Sequence, residues 1–264
     1  MPAAAIYWIS IIGRRNDLFA KAGEIADRIS SRIYRVREKM LFFVIYSRHI
    51  CNNKRVSFVL SPEVTRQLQQ TTAERDWPGN PQLQPAGWGK IMLLRYALAM
   101  HYARGKTILD SCCGIGWGAF LLDAVALHTF AVDKDARSLS VAKNLWPSRN
   151  TDYVNASVLD LPFASGTFDL VTAMESIEHF PAQQINRYLS EVARVLKPGG
   201  ILAGSSTFPE TLAEAEAVCA RNPYHLHINT RSEMIGRLTA CDFEQIRIFS
   251  NRLFFFARKV GGHN

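Results

Sequence analysis

The chain has 264 residues, is 48% hydrophobic and carries 31 Lys and Arg against 23 Asp and Glu. That composition marks a globular protein long enough for one sizeable α/β domain with an addition. Residues 1–60 hold eleven basic and four acidic residues while residues 61–264 hold twenty and nineteen, so the +8 formal charge belongs to the N-terminal part and argues against an extended phosphate-binding face on the rest.

The opening stretch 3–12 is apolar but has no basic leader and no small-residue cleavage site, so it is not read as a signal peptide. Residues 40–46 are apolar too, far short of the roughly 20 residues that a spanning helix needs. Cys51, Cys112, Cys113, Cys219 and Cys241 show no metal-finger spacing and no even framework, which points to a reducing, cytoplasmic setting. Residues 16–48 carry apolar side chains at three- and four-residue intervals, with Arg28, Arg32, Arg35 and Arg37 between them. Such a basic amphipathic helix suits the inner face of a membrane, a partner or a homo-oligomer contact, and packing on its own protein is the commoner meaning.

Residues 71–90, dense in Pro and Gly and containing Trp77 and Trp88, are expected to form an ordered loop or lid. A helix is expected over 91–103, then a buried strand from Thr107 into the turn Asp110-Ser111-Cys112-Cys113-Gly114-Ile115-Gly116 and a helix over 119–127. Glycines in such a turn let a ligand approach the backbone, and the free N–H groups of the following helix suit a polar ligand. A second strand, 129–132, leads into Asp133, nineteen residues after Gly114, where a carboxylate can accept both hydroxyls of a ribose.

A helix over 136–145 follows, then a strand near 153–156, a loop containing Asp160 and Leu161, and a strand over 168–174 ending on Met174. Next come a helix over 182–196, stopped at Lys197-Pro198-Gly199-Gly200, and a strand over 201–205. Alternating elements with short connections mean a parallel, doubly wound sheet. The end differs, because 243–249 and 253–258 read as an antiparallel hairpin turning at 250–252.

From about Glu74 to Lys259 these motifs resemble a class I S-adenosylmethionine-dependent methyltransferase. The resemblance rests on 108–118, on 131–133, on 158–169 with its Leu-Pro-Phe and Phe-Asp, and on 195–202 with its Lys-Pro-Gly-Gly. It implies a Rossmann-like, mostly parallel seven-stranded sheet over 61–264, preceded by the basic helical extension 1–60. It also implies S-adenosyl-L-methionine as cofactor. Gly114 and Gly116 would line its methionine end, Asp133 would hold the ribose, Asp160 with Leu161 would flank the adenine, and Asp110 and Met174 would be among the cofactor-binding residues. Glu74 to Gly79, Arg95-Tyr96 and Asn222-Pro223-Tyr224-His225 further resemble methyltransferases of bacterial glycan and O-antigen clusters.

After the fourth strand stands Glu175-Ser176-Ile177-Glu178-His179. Were a helix to begin there, Glu175, Glu178 and His179 would share one face, and His225 or His227 could complete a site for Mg²⁺ or another divalent cation. The pattern resembles the metal motif of small-RNA 2′-O-methyltransferases and of ubiquinone-biosynthesis O-methyltransferases. Two other readings stay open: His179 as a general base without metal, or a solvated helix start. The expected reaction is methyl transfer to an acceptor oxygen, with a sugar hydroxyl of a glycan, lipid-linked precursor or glycosylated metabolite as acceptor, and with Glu178 and His179 as catalytic residues. RNA 2′-O-methylation, methylation of a quinone-like small molecule and a non-catalytic cofactor-binding scaffold are the alternatives.

Overall fold

A computed structural model describes residues 88–249 and 254–261. The basic helix, the 60/61 boundary, the aromatic loop up to residue 87 and the hairpin turn at 250–252 lie outside the described residues.

The centre is β1 (Thr107–Ser111), which pairs in parallel with β2 (His128–Asp133) on one side and β4 (Phe168–Met174) on the other. Both of its faces are covered, as an apolar run in a parallel sheet requires. Adding β3 (Thr151–Asn155), β5 (Leu196–Ser205), β6 (Phe243–Phe249) and β7 (Phe254–Lys259) gives a seven-stranded sheet in the order β3-β2-β1-β4-β5-β7-β6. Only β7 runs antiparallel to its neighbours, β5 and β6. The order reverses between β1 and β4, so a crevice opens at their carboxyl ends, where doubly wound sheets bind ligands.

Helices α1 (Trp88–Ala103), α2 (Trp117–Asp123) and α3 (Ala136–Leu145) precede the crossing at β4, and α4 (Ala182–Val195) follows it. On α4 the residues Ile185, Tyr188, Leu189, Val192 and Val195 are fully buried, each worth about 1.5–3 kcal/mol when taken from water. Helices α5 (Leu212–Cys219) and α6 (Arg231–Ala240) each open on a capping box, Thr211 with Glu214 and Thr230 with Glu233.

Several boundaries differ from those expected. Trp88 to Lys90 belong to α1 and not to the loop before it. The helix expected over 119–127 is Trp117–Asp123, because the chain turns at Ala124 and Leu127 N–H donates to Lys106 O, aligning the next segment with the sheet. The Lys-Pro-Gly-Gly segment ends α4 but is the irregular first part of β5, which pairs from Leu196 and breaks register before Ile201.

Helix α2 lies against α1 through Gly118. A Cβ built there would fall 2.0 Å from Tyr96 Cζ, within the ring. Gly118→Ala is therefore expected to destabilise the fold by about 1–3 kcal/mol in urea unfolding. Combined with Tyr96→Leu, which removes the obstruction, the two costs should fall well short of adding.

Candidate functional site

At the carboxyl end of β1 the backbone enters the left-handed region three times, at Cys112 (φ 56°), Gly114 (φ 56°) and Gly116 (φ 78°). Gly116 admits no side chain, since a Cβ would lie 2.7 Å from Ala142 Cβ and 2.8 Å from Tyr153 Cε1. Cys112 holds the same backbone region without being glycine, at a cost on the order of 1–3 kcal/mol. The turn is tied to the next strand: Gly114 N–H donates to Asp133 Oδ2 and Asp135 N–H to Asp133 Oδ1, both at 2.9 Å. Asp133 is thereby fixed at the tip of β2, beside the turn.

Beneath the turn Asp110 is fully buried. Tyr96 of α1 donates to its Oδ1 at 3.2 Å, and Thr172 of β4 donates to the same oxygen at 2.5 Å. Burial pushes its carboxyl up to about 7; the Thr172 and Tyr96 hydrogen bonds pull it down, and the Asp133 charge adds to the rise. The loop between β3 and β4 carries an exposed Asp160 and a buried Leu161. Met174, half-buried, closes β4 and packs on the apolar cluster of β1 and α1.

The chain leaves β4 through Glu175, another non-glycine residue with positive φ (47°). Its N–H donates to Ser205 O at 3.0 Å, its Oε1 accepts from Ser205 Oγ at 3.0 Å, and Arg95 Nη1 stands 3.2 Å from that oxygen. A 3₁₀ turn, Ile177–His179, follows. The expected single helical face is thus absent: Glu175 has a left-handed backbone and its carboxylate pairs with the buried Arg95 and with Ser205, although its charge still reaches Glu178. Glu178, His179 and His225 do come together, with one ligand-type atom from each lying within 4.8 Å of the others.

Each member is held. Glu178 O accepts from Leu226 N–H at 2.8 Å and from His227 N–H at 3.3 Å. His179 Nδ1 lies 3.1 Å from Tyr224 O, His225 Nε2 lies 3.1 Å from Asn222 Nδ2, and the two imidazoles meet edge to face at 5.4 Å. Glu178 is 98% buried and its Oε2 has no hydrogen-bond partner. Burial first, then the charge of Glu175, drives its carboxyl well above the usual carboxylate range, with Arg95 opposing. His227 sits instead within electrostatic reach of Glu233.

Sequence reasoning assigned no role to Arg95, Tyr96, Thr172 or Ser205. Arg95 could have been singled out, since it is the one charged residue in the apolar run 91–100. An arginine there must be buried or break the helix face, and burial demands an anionic partner.

Residues 109–204 match the family described as "Methyltransferase domain". A probable S-adenosylmethionine-dependent methyltransferase of Mycolicibacterium smegmatis is 27% identical over 173 residues, 66% of this chain and 65% of that protein. The demethylmenaquinone methyltransferase of Bacillus licheniformis is 30% identical over 150 residues, 55% of this chain and 62% of its own length. The chain therefore spans less than two thirds of either relative. In fold, it superposes on an S-adenosylmethionine-dependent methyltransferase from Mesorhizobium loti with a TM-score of 0.51 at 17% identity, covering 62% of this chain and 98% of that one. Residues 109–204 thus match a methyltransferase domain, and the described residues have the Rossmann-like, mostly parallel seven-stranded fold of such proteins. No helix among the described residues is long and apolar enough to cross a membrane.

The Asp110 carboxyl binds its proton more tightly folded than unfolded, so between roughly pH 4 and 8 the unfolded chain holds fewer protons and stability falls as pH rises. Asp110→Asn removes that dependence. Its stability relative to the native chain is expected to improve by up to about 4 kcal/mol across this window, read from denaturant unfolding at a series of pH values.

Proposed function

We propose that this protein transfers the methyl group of S-adenosyl-L-methionine to a hydroxyl oxygen of a sugar on a glycan, a lipid-linked precursor or a glycosylated metabolite. The observation that carries the reading is the convergence of Glu178, His179 and His225 at the carboxyl end of β4, next to the strand whose glycine turn faces the same crevice. The cofactor supplies an activated methyl on sulfonium. This chain's residues hold it through the glycine turn, Asp133 and the Asp160 loop, and orient the acceptor. As the oxygen gains the methyl it loses one proton, and the His179 imidazole receives it. A hydroxyl is otherwise too weak an acid to react near neutrality.

As an alternative in which His179 is a ligand and not the base, the same three side chains fit a divalent cation such as Mg²⁺, Mn²⁺ or Fe²⁺. Mixed carboxylate and imidazole donors with open positions suit such ions, and the unpartnered Glu178 Oε2 is a buried oxygen in want of one. A bound cation would acidify an acceptor hydroxyl as a Lewis acid. Glu175 is not part of this set, because Arg95 and Ser205 occupy its carboxylate.

A second reading, a quinone-like ring as acceptor, draws on the demethylmenaquinone methyltransferase relative and on the exposure of Tyr224 and Leu226 on either side of His225. Incubation of the full chain with methyl-labelled cofactor and separate glycan, lipid, small-molecule and RNA extracts, followed by mass spectrometry, distinguishes these acceptors. Label in the glycan or glycolipid fraction is expected. Label confined to quinones or RNA overturns the sugar reading, and cofactor binding without any transfer favours a scaffold. His179→Ala is expected to lower transfer about 100-fold or more while leaving cofactor affinity unchanged. Transfer that survives chelation unaltered rules out the cation.

A further inference from the structure

The loop that carries Asp160 and Leu161 has no strand partner. It leaves β3 at Asn155, crosses Pro162, which has no N–H to give, and rejoins the sheet at Phe168. Besides bonds within the loop and one from Ala156 N–H to Asp133 O, its backbone groups are met by three side chains of α4. Arg187 Nε donates to Leu159 O at 3.0 Å, and Glu191 Oε2 accepts from Leu161 N–H at 2.9 Å. Arg194 donates through Nη2 to Leu161 O at 3.0 Å and through Nη1 to Phe163 O at 2.7 Å. Its Nε and Nη2 also form a two-pronged contact with the Glu191 carboxylate, both at 2.8 Å. Residues 187, 191 and 194 recur at helical spacing, so one stripe of α4 grips the loop while another stripe packs on the sheet.

We propose that Arg194 and Glu191 are positioning residues for the cofactor's adenine end, clamping the 157–163 loop so that Asp160 meets the exocyclic amine. This rests on the reading of S-adenosylmethionine as the ligand. Three observations separate the clamp from ordinary stabilisation. The pair is partly exposed, at 34% and 18% of side-chain surface, and such ion pairs add little to stability. Every loop contact goes to main-chain atoms at 159, 161 and 163, on both sides of Asp160. A guanidinium fork reaches two carbonyls and a carboxylate together, which a lysine cannot.

The test is calorimetric titration of the full chain with S-adenosylhomocysteine and with S-inosylhomocysteine, in which an oxygen replaces the adenine amine. The native chain is expected to prefer the adenine form about tenfold, the worth of one good hydrogen bond. Arg194→Ala should bind the adenine form about tenfold more weakly, bind the inosine form nearly as before, and unfold within a few degrees of the native protein. Arg194→Lys should fail to restore the preference, and it decides the matter should the alanine variant be unstable. In turnover, KM for the cofactor should rise with kcat little changed. Unaltered discrimination in both variants, or equal weakening for both ligands, overturns the clamp and leaves the cofactor assignment standing. A native chain that binds neither ligand overturns the assignment itself.

Discussion

One buried carboxylate holds the site together. Asp110 is the meeting point of three elements: its own strand β1, Thr172 on β4, and Tyr96 on α1. An anion in such surroundings is tolerated only with donors aimed at it, and here both donors are hydroxyls on separate elements. The position of α1 relative to the two central strands follows from that arrangement. So does the need for a bare glycine at 118, because the Tyr96 ring fills the space where a side chain would stand. The neighbouring Arg95 then reaches Glu175 on the far side of the crevice. Two consecutive residues of one helix thus serve the cofactor turn and the exit from β4.

Those two places share another property. Cys112 and Glu175 are non-glycine residues with positive φ, and each follows closely on the end of a central strand where the sheet order reverses. Strained backbone persists only where its surroundings over-determine it. At Glu175 the determinants are visible: three contacts to Ser205 and one to Arg95. With Glu175 paired to Arg95, the carboxylate that gathers with His179 is Glu178, deep and proton-loving, and the third donor comes from the segment after α5.

Much of the fold could be read from local pattern. The limits of α3, β4 and β6 follow from apolar runs bounded by Asp135, Gly166 and Asp242, because strand and helix periods leave direct marks in sequence. Helices α5 and α6 were not foreseen, although Thr211-x-x-Glu214 and Thr230-x-x-Glu233 are capping-box patterns; the residues that follow are short runs without a clear apolar face to reinforce the signal. The geometry after β4 was beyond local reading. Helical spacing of Glu175, Glu178 and His179 looked like a shared face, but a left-handed residue and a 3₁₀ turn stand in place of the helix, and the Arg95 and Ser205 partners of Glu175 are distant in sequence. The stripe 187, 191 and 194 was likewise unreadable, since its partners are backbone atoms of a loop.

The segment after α5 joins the 3₁₀ turn mainly through main-chain atoms: Leu226 and His227 N–H on Glu178 O, and Tyr224 O beside His179. Bonds of that kind do not depend on which side chains the segment carries. Tyr224 and Leu226 point outward and are free to be exchanged without loosening the attachment. The domain therefore separates anchoring from display, so the exposed side chains at such positions can change while the main-chain attachment beneath stays in register.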